Sequence, residues 1–300
     1  MIKTFVALIL VLTSITSLPA IAYNAKSQFV EVEISSLDGL MTLFKKHNYT
    51  SNDWKNGDRE VPRLTFEGVS ERWKETSSQI PVKQKKQVFF RLMAPLVLIS
   101  NENILAERNI VKSAPLSSKV ILDIARKYRL LNNETSSLTE KQRQQLLLQV
   151  DVMPPSLALA QAAEESGWAS SRFTEEGNAF FGQWDFSGAG MKPKQQRKEL
   201  GNYGLARFDS PLDSVEGYML NINTTGAYKQ LRVLRAKLRQ ANKAITGLAL
   251  AGTLDKYSER GQAYIDGLRS MIRYNKLEDV DEAYLSETIL IKLVSPKQLR

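Results

Sequence analysis

Residues 153–168 read Met-Pro-Pro-Ser-Leu-Ala-Leu-Ala-Gln-Ala-Ala-Glu-Glu-Ser-Gly-Trp, and the stretch predicts one helix with both ends marked. Pro154 and Pro155 suit a first turn, where a missing N–H costs nothing, and Gly167 suits the left-handed residue that ends a helix. On that helix Gln161, Ala162, Glu165 and Trp168 share a face through their i+3 and i+4 spacings. Glu164 points about 100° away from Glu165, so the two adjacent acids meet different surroundings. With alanines one turn back and Trp168 one turn ahead, Glu165 is expected in an apolar setting. Such a setting disfavours its charged form, raises its pKa and suits it to give up a proton near neutrality. Spacing alone equally allows Glu165 to be a solvated or salt-bridged acid at a helix end.

Working outward, residues 28–150 read as helical with irregular polar connections. Short helices are expected in SSLDGLMTLFKKHNY, SSKVILDIARKYRLL and TEKQRQQLLLQV, the last with Thr139 as N-cap. A long amphipathic helix covers the segment that contains Pro95, and an extended piece lies at residues 64–66. Residues 180–209 hold the glycines, aromatics and turn formers of a small hairpin. Further helices come after it, the first opened by Ser210 and Pro211. The order helices, hairpin, helices predicts an α+β fold, predominantly helical. Four regions are expected: residues 1–22 as a signal peptide, 23–150 as a helical N-terminal region, 151–278 as the domain built on the opening helix, and 279–300 as a C-terminal helix and tail.

Lys3, the uncharged run FVALILVLTSIT and the Ala20-Ile21-Ala22 pattern predict export with cleavage after Ala22, to a periplasmic or envelope location. No stable membrane span is expected after that cleavage. Loss of Lys3 lowers the formal charge from +9 to +8, so the mature chain stays basic and is drawn to acidic surfaces such as the cell wall. Its charges are dispersed, and no nucleic-acid-binding motif accompanies them. There is no cysteine and one histidine, His47, on a polar stretch. Thiolate sites, Ser-His-Asp catalysis and multi-histidine zinc sites therefore have little to work with, and neither metal nor cofactor is expected.

The run LALAQAAEESGWASSRFTEEGNAFFGQW, residues 157–184, closely resembles the signature of glucosaminidase domains of glycoside hydrolase family 73. Within that superfamily the chain is similar to the Bax proteins, through VPRLTFEGVSERWKE (61–75), NAFFGQW (178–184) and RFDSPLDSVEGYM (207–219). The resemblance implies a lysozyme-like domain over residues 151–278 that hydrolyses β-1,4 bonds of peptidoglycan at N-acetylglucosamine, with Glu165 as the catalytic acid. Gln161, Ser166, Gly167, Trp168, Asn178, Phe181 and Gly182 fall on other motif positions; all of these but Gly167 are implied substrate-binding residues, as is Tyr264, and Glu164 is non-catalytic. The second acid of the family lies in the hairpin, where Glu199 is the candidate; otherwise the substrate's 2-acetamido group or another side chain activates water. Tyr257 and Tyr264 fall on tyrosine positions of the family, Tyr257 to orient the acetamido group or stabilise charge, Tyr264 equally a core residue. Trp184, Phe181 and Tyr203 are candidates to stack on sugar faces or to close the core beneath the hairpin. Lys192, Lys194, Arg197 and Lys198 offer attraction to wall carboxylates or form a solvated loop. A lytic transglycosylase, which also uses a Glu-Ser at a helix end, and a non-catalytic wall-binding scaffold are the alternative expectations. The transglycosylases' Gly-Leu-Met-Gln motif is absent here, and Asn178-Ala-Phe-Phe-Gly182 is present.

Overall fold

The computed structural model describes residues 28–70, 73–194, 201 and 203–296, so the signal-peptide region and Arg197, Lys198 and Glu199 lie outside the described residues. The chain runs through β1 (Phe29–Glu33), α1 (Leu37–Lys46), α2 (Ser51–Lys55), β2 (Glu60–Val61), β3 (Leu64–Phe66), α3 (Trp73–Gln79) and the long α4 (Val82–Ser113). After these come α5 (Lys119–Lys127), α6 (Glu140–Gln149), α7 (Pro155–Ser166) and α8 (Arg172–Gly177). A hairpin of β4 (Trp184–Asp185) and β5 (Gly204–Leu205) precedes α9 (Pro211–Thr224), α10 (Lys229–Gln240), α11 (Gly247–Ala251) and α12 (Gln262–Tyr274). A 3-10 turn at Leu277–Glu282 leads to β6 (Tyr284–Leu285) and β7 (Leu290–Val294). The fold is α+β and predominantly helical, as the pattern predicts. Hydroxyl caps start several helices: Thr139 exchanges bonds with Gln142 in a capping box, and Ser210 accepts from the Asp213 N–H.

Helix α7 sits at the centre, and the reason is compositional. All its residues except Glu164 and Glu165 are buried, and a helix that is apolar or small on every face needs cover on every face. That cover comes from α4, α11, α12 and the 3-10 turn. By length and composition α4 could cross a membrane, yet 61% of its apolar stretch is buried in this fold, as befits a core helix. One continuous core joins α4 and α5 to α7, α9 and α12, and so holds helices from both sides of residue 150. A buried polar hub reinforces this junction. The Asp151 carboxylate takes Arg239 at 2.5 and 2.9 Å and lies 3.6 Å from Arg108, while the fully buried Arg235 donates to the carbonyls of Asp151 and Val152.

The C-terminal segment departs from the expected helix. β7 is the middle strand of a parallel sheet, order β1-β7-β3, with Ile291 opposite both Val30 and Leu64. Its alternation is physical: Ile291 and Leu293 are buried against α1 and α4, while Leu290, Lys292 and Val294 are half-buried on the other face. β1 likewise adds a strand to a region whose pattern predicts helices. A second parallel pair joins β2 to β6, and the expected hairpin is antiparallel, with Trp184 opposite Leu205.

Candidate active site

Glu165 lies in the last turn of α7, and the backbone beyond Ser166 takes an unusual path. Gly167, Trp168 and Ala169 all adopt left-handed backbone conformations, with φ of 58°, 63° and 62°. A run of this kind is costly for residues with a Cβ and persists only where surrounding bonds fix it. Here the Trp168 N–H donates to the Ala163 carbonyl at 3.1 Å and the Ala169 N–H to Ser166 Oγ at 2.9 Å, while Trp73 Nε1 donates to the Trp168 carbonyl at 3.1 Å. The helix therefore stops before Trp168, and the shared face predicted for Glu165 and Trp168 does not form. The indole packs edge-on against Phe89 and Phe90 of α4, with centroids 5.5 and 5.2 Å away.

Tyrosines supply the setting instead. Tyr264 of α12 donates its hydroxyl to Glu165 Oε1 at 2.9 Å and stacks on Tyr257, centroids 5.6 Å apart and planes 6° off parallel. Tyr257 donates to the Phe181 carbonyl at 3.0 Å, which holds the segment before Gly182 against the acid. Gly182 has φ of 60°, a conformation that favours glycine, and a Cβ on it would stand 3.3 Å from Glu165 Oε2 and crowd the carboxyl. Burial pushes the Glu165 carboxyl above the usual glutamate range. The Tyr264 hydrogen bond and Arg260 oppose that rise, and the neighbouring Glu164 charge adds to it. Glu164 is exposed and paired with Arg260 at 2.7 Å, and that guanidinium also lies 5.2 Å from the Tyr264 ring. The arrangement is an acid whose ionisation burial disfavours, with one oxygen held and the other beside bare backbone.

Residues 141–277 match the glucosaminidase family described as mannosyl-glycoprotein endo-beta-N-acetylglucosaminidase. Protein bax of Escherichia coli strain K12 is 32% identical over 200 residues, a span that covers 64% of this chain and 70% of that protein. The chain belongs to the Bax-like glucosaminidase family. No solved structure matches it. It is a glycosidase, and its substrate is a glycan.

The matched glucosaminidase domain starts in α6 and ends just past α12, so α4 and the parallel sheet brace it from outside the match. Within the domain, Gln161 and Ser166 are fully buried and Phe181 and Tyr264 nearly so. The sugar contacts expected of these four are replaced by internal partners. Gln161 bonds two tyrosines, Ser166 Oγ donates to the Ala162 carbonyl at 2.6 Å, and Phe181 stacks on Tyr218 at 4.0 Å. Asn178 adopts φ of 50° at the end of α8 and donates to the Phe208 carbonyl at 3.2 Å, tying the turn to the connection between β5 and α9. Tyr257, expected to face substrate, spends its hydroxyl on Phe181, and Tyr264 is the tyrosine on the acid. Trp184 is half exposed, its ring 4.6 Å from the buried Tyr203 and 6.0 Å from Phe186, which is 70% exposed. Lys192 and Lys194 are exposed. Sequence reasoning missed Tyr218, Arg260 and Phe186. Only Phe186 carried a signal, its i+2 spacing from Trp184 on a strand. Among the described residues, no three His, Asp or Glu side chains gather as a metal cage requires.

Proposed function

We propose that the chain is an exported peptidoglycan hydrolase of the periplasm or cell envelope. It is read as an endo-β-N-acetylglucosaminidase of lysozyme-like fold that cuts β-1,4 glycosidic bonds with Glu165 as general acid and without a metal. The observation that carries this reading is the Glu165 carboxyl, half-buried, pushed toward its protonated form and gripped at Oε1 by Tyr264. With Oε1 accepting that hydrogen, the transferable proton belongs on Oε2, beside Gly182. It passes to the glycosidic oxygen as the bond from that oxygen to the anomeric carbon breaks, leaving Glu165 a carboxylate and positive charge on the sugar ring. Water then adds to the anomeric carbon and loses a proton to a base, for which Glu199 and the substrate's own acetamido oxygen are the two candidates. The exposed Trp184–Phe186 pair offers apolar faces to sugar rings, and the basic balance of the chain with Lys192 and Lys194 favours a wall rich in free carboxylates.

The test is digestion of isolated peptidoglycan by the purified protein in EDTA, beside Glu165→Gln, with mass spectrometry of the released glycans. The parent is expected to release fragments with reducing N-acetylglucosamine ends, and the variant to lose about 100-fold or more in rate. Anhydro-sugar ends would reassign the chain as a lytic transglycosylase. Binding without release by both proteins would make it a scaffold.

A further inference from the structure

We propose that Gln161 and Tyr218 are positioning residues that set the direction of a buried hydrogen-bond chain, and so decide which oxygen of Glu165 carries the catalytic proton. The inference rests on the reading of Glu165 as the acid. A phenol has one hydrogen, and a primary amide has donors at one end and an acceptor at the other, so the bonds can be counted. Tyr218 donates to Gln161 Oε1 at 2.6 Å, Gln161 Nε2 donates to the Tyr264 oxygen at 3.2 Å, and Tyr264 donates to Glu165 Oε1 at 2.9 Å. Gln161 and Tyr218 have no exposed surface and Tyr264 almost none, so water does not enter this count.

Such a chain has two self-consistent directions. In the observed one, every hydrogen points toward Glu165, Oε1 accepts, and a proton on the acid is left on Oε2. Turning the Gln161 amide over reverses it: Tyr264 donates to Gln161 Oε1, and a proton on Glu165 sits on Oε1, aimed at Tyr264 and away from any substrate. Tyr218 decides between the two, because its hydroxyl hydrogen needs Gln161 Oε1 as acceptor. Its ring is clamped on Phe181, planes 10° apart, and Phe181 is itself held by Tyr257 through its carbonyl. The charged groups near Glu165 are Glu164 and Arg260, and its other ionisable neighbours are Tyr218, Tyr228 and Tyr257. None of these except Tyr218 sits on Gln161.

The deciding variant is Tyr218→Phe, which keeps the stack on Phe181 and deletes only a hydroxyl two hydrogen bonds from the acid. Losing the chain's direction frees Tyr264 to turn away from Glu165. The alkaline limb of the kcat profile is then expected to move up by about half a unit to one unit, the worth of one buried hydrogen bond. Plateau kcat should fall roughly tenfold with KM unchanged, as for a misplaced proton donor. The shift must vanish in a Tyr264→Phe background, where the chain is already cut. If Tyr218→Phe does not fold, Tyr218→Met, flexible and without a hydroxyl, takes its place in the same cycle. A limb that stays put, or a shift that persists without the Tyr264 hydroxyl, overturns the proposal. Those results leave Glu165→Gln inactive, whereas an active Glu165→Gln would overturn the acid assignment itself.

Discussion

Glu165 is asked to keep a proton where burial opposes its charge, and that demand works against the fold. The folded pKa of the group is raised above the unfolded glutamate value of about 4.3, so its ionisation penalises the native state alone. Below that unfolded value both states are protonated and nothing is lost; as pH rises through the folded pKa, stability falls. Glu165→Gln is therefore expected to melt about 1–3 °C above the parent at pH 7 and to coincide with it near pH 3.5, in paired thermal scans. A parent as stable as the variant at pH 7 would refute the buried-acid account. The acid itself was legible in the sequence, because helix spacing separates Glu165 from Glu164. Its surroundings were not, because three successive left-handed residues turn Trp168 onto α4, and no helical wheel represents that turn. Gln161 was misread for a related reason. The wheel places it on the acid's face but does not reveal that α7 is covered on every side.

At the scale of elements, α7 is begun by prolines and has no cap from its own residues. Asp281, in the 3-10 turn after α12, supplies one from outside the matched domain. Its carboxylate accepts the Ser156 N–H at 2.8 Å, the Ser156 hydroxyl at 2.7 Å and the Gly247 N–H at 3.0 Å, so it starts α7 and α11 together. Gly247 permits this close approach, since a Cβ there would collide with Ser156 Oγ. Asp281→Ala strands these donors and is expected to cost about 2–4 kcal/mol, read as a lower urea midpoint with unchanged slope. A midpoint within error of the parent would show that water replaces the carboxylate. The longer helices were readable from periodicity and from caps such as Thr139 and Ser210, whereas the short α2, α3 and α8 were not. The extended piece at β3 and the hairpin of β4 and β5 were legible as well, but β1, β2, β6 and β7 were not: β7 has five residues, and its partners lie far away in the sequence, where no local pattern points to them.

Across the described residues, the first and last strands meet in one sheet and the helices on both sides of residue 150 meet at Asp151. That residue joins Arg108 of α4 with Arg235 and Arg239 of α10 just before α7 begins. Burial raises the cost of its charge, but the Arg239 hydrogen bonds and the charges of Arg235, Arg108 and Arg239 outweigh it and hold the carboxyl below the usual aspartate range. Burial pulls Arg235 down to about 10, still charged at any working pH. A depressed folded pKa means that stability from Asp151 is full above the unfolded value of about 3.9 and is lost as pH falls through the folded value. Asp151→Asn leaves buried guanidinium charge without its counter-ion, which costs about 3–5 kcal/mol. Urea titrations from pH 7 to pH 3 are expected to show that loss in full at pH 7 and a smaller gap between parent and variant at pH 3, below the unfolded value, where protonation of Asp151 favours the unfolded parent. A gap that is absent at pH 7, or that widens on acidification, would mean that the core across residue 150 is held by apolar packing alone and that the hub adds nothing to it.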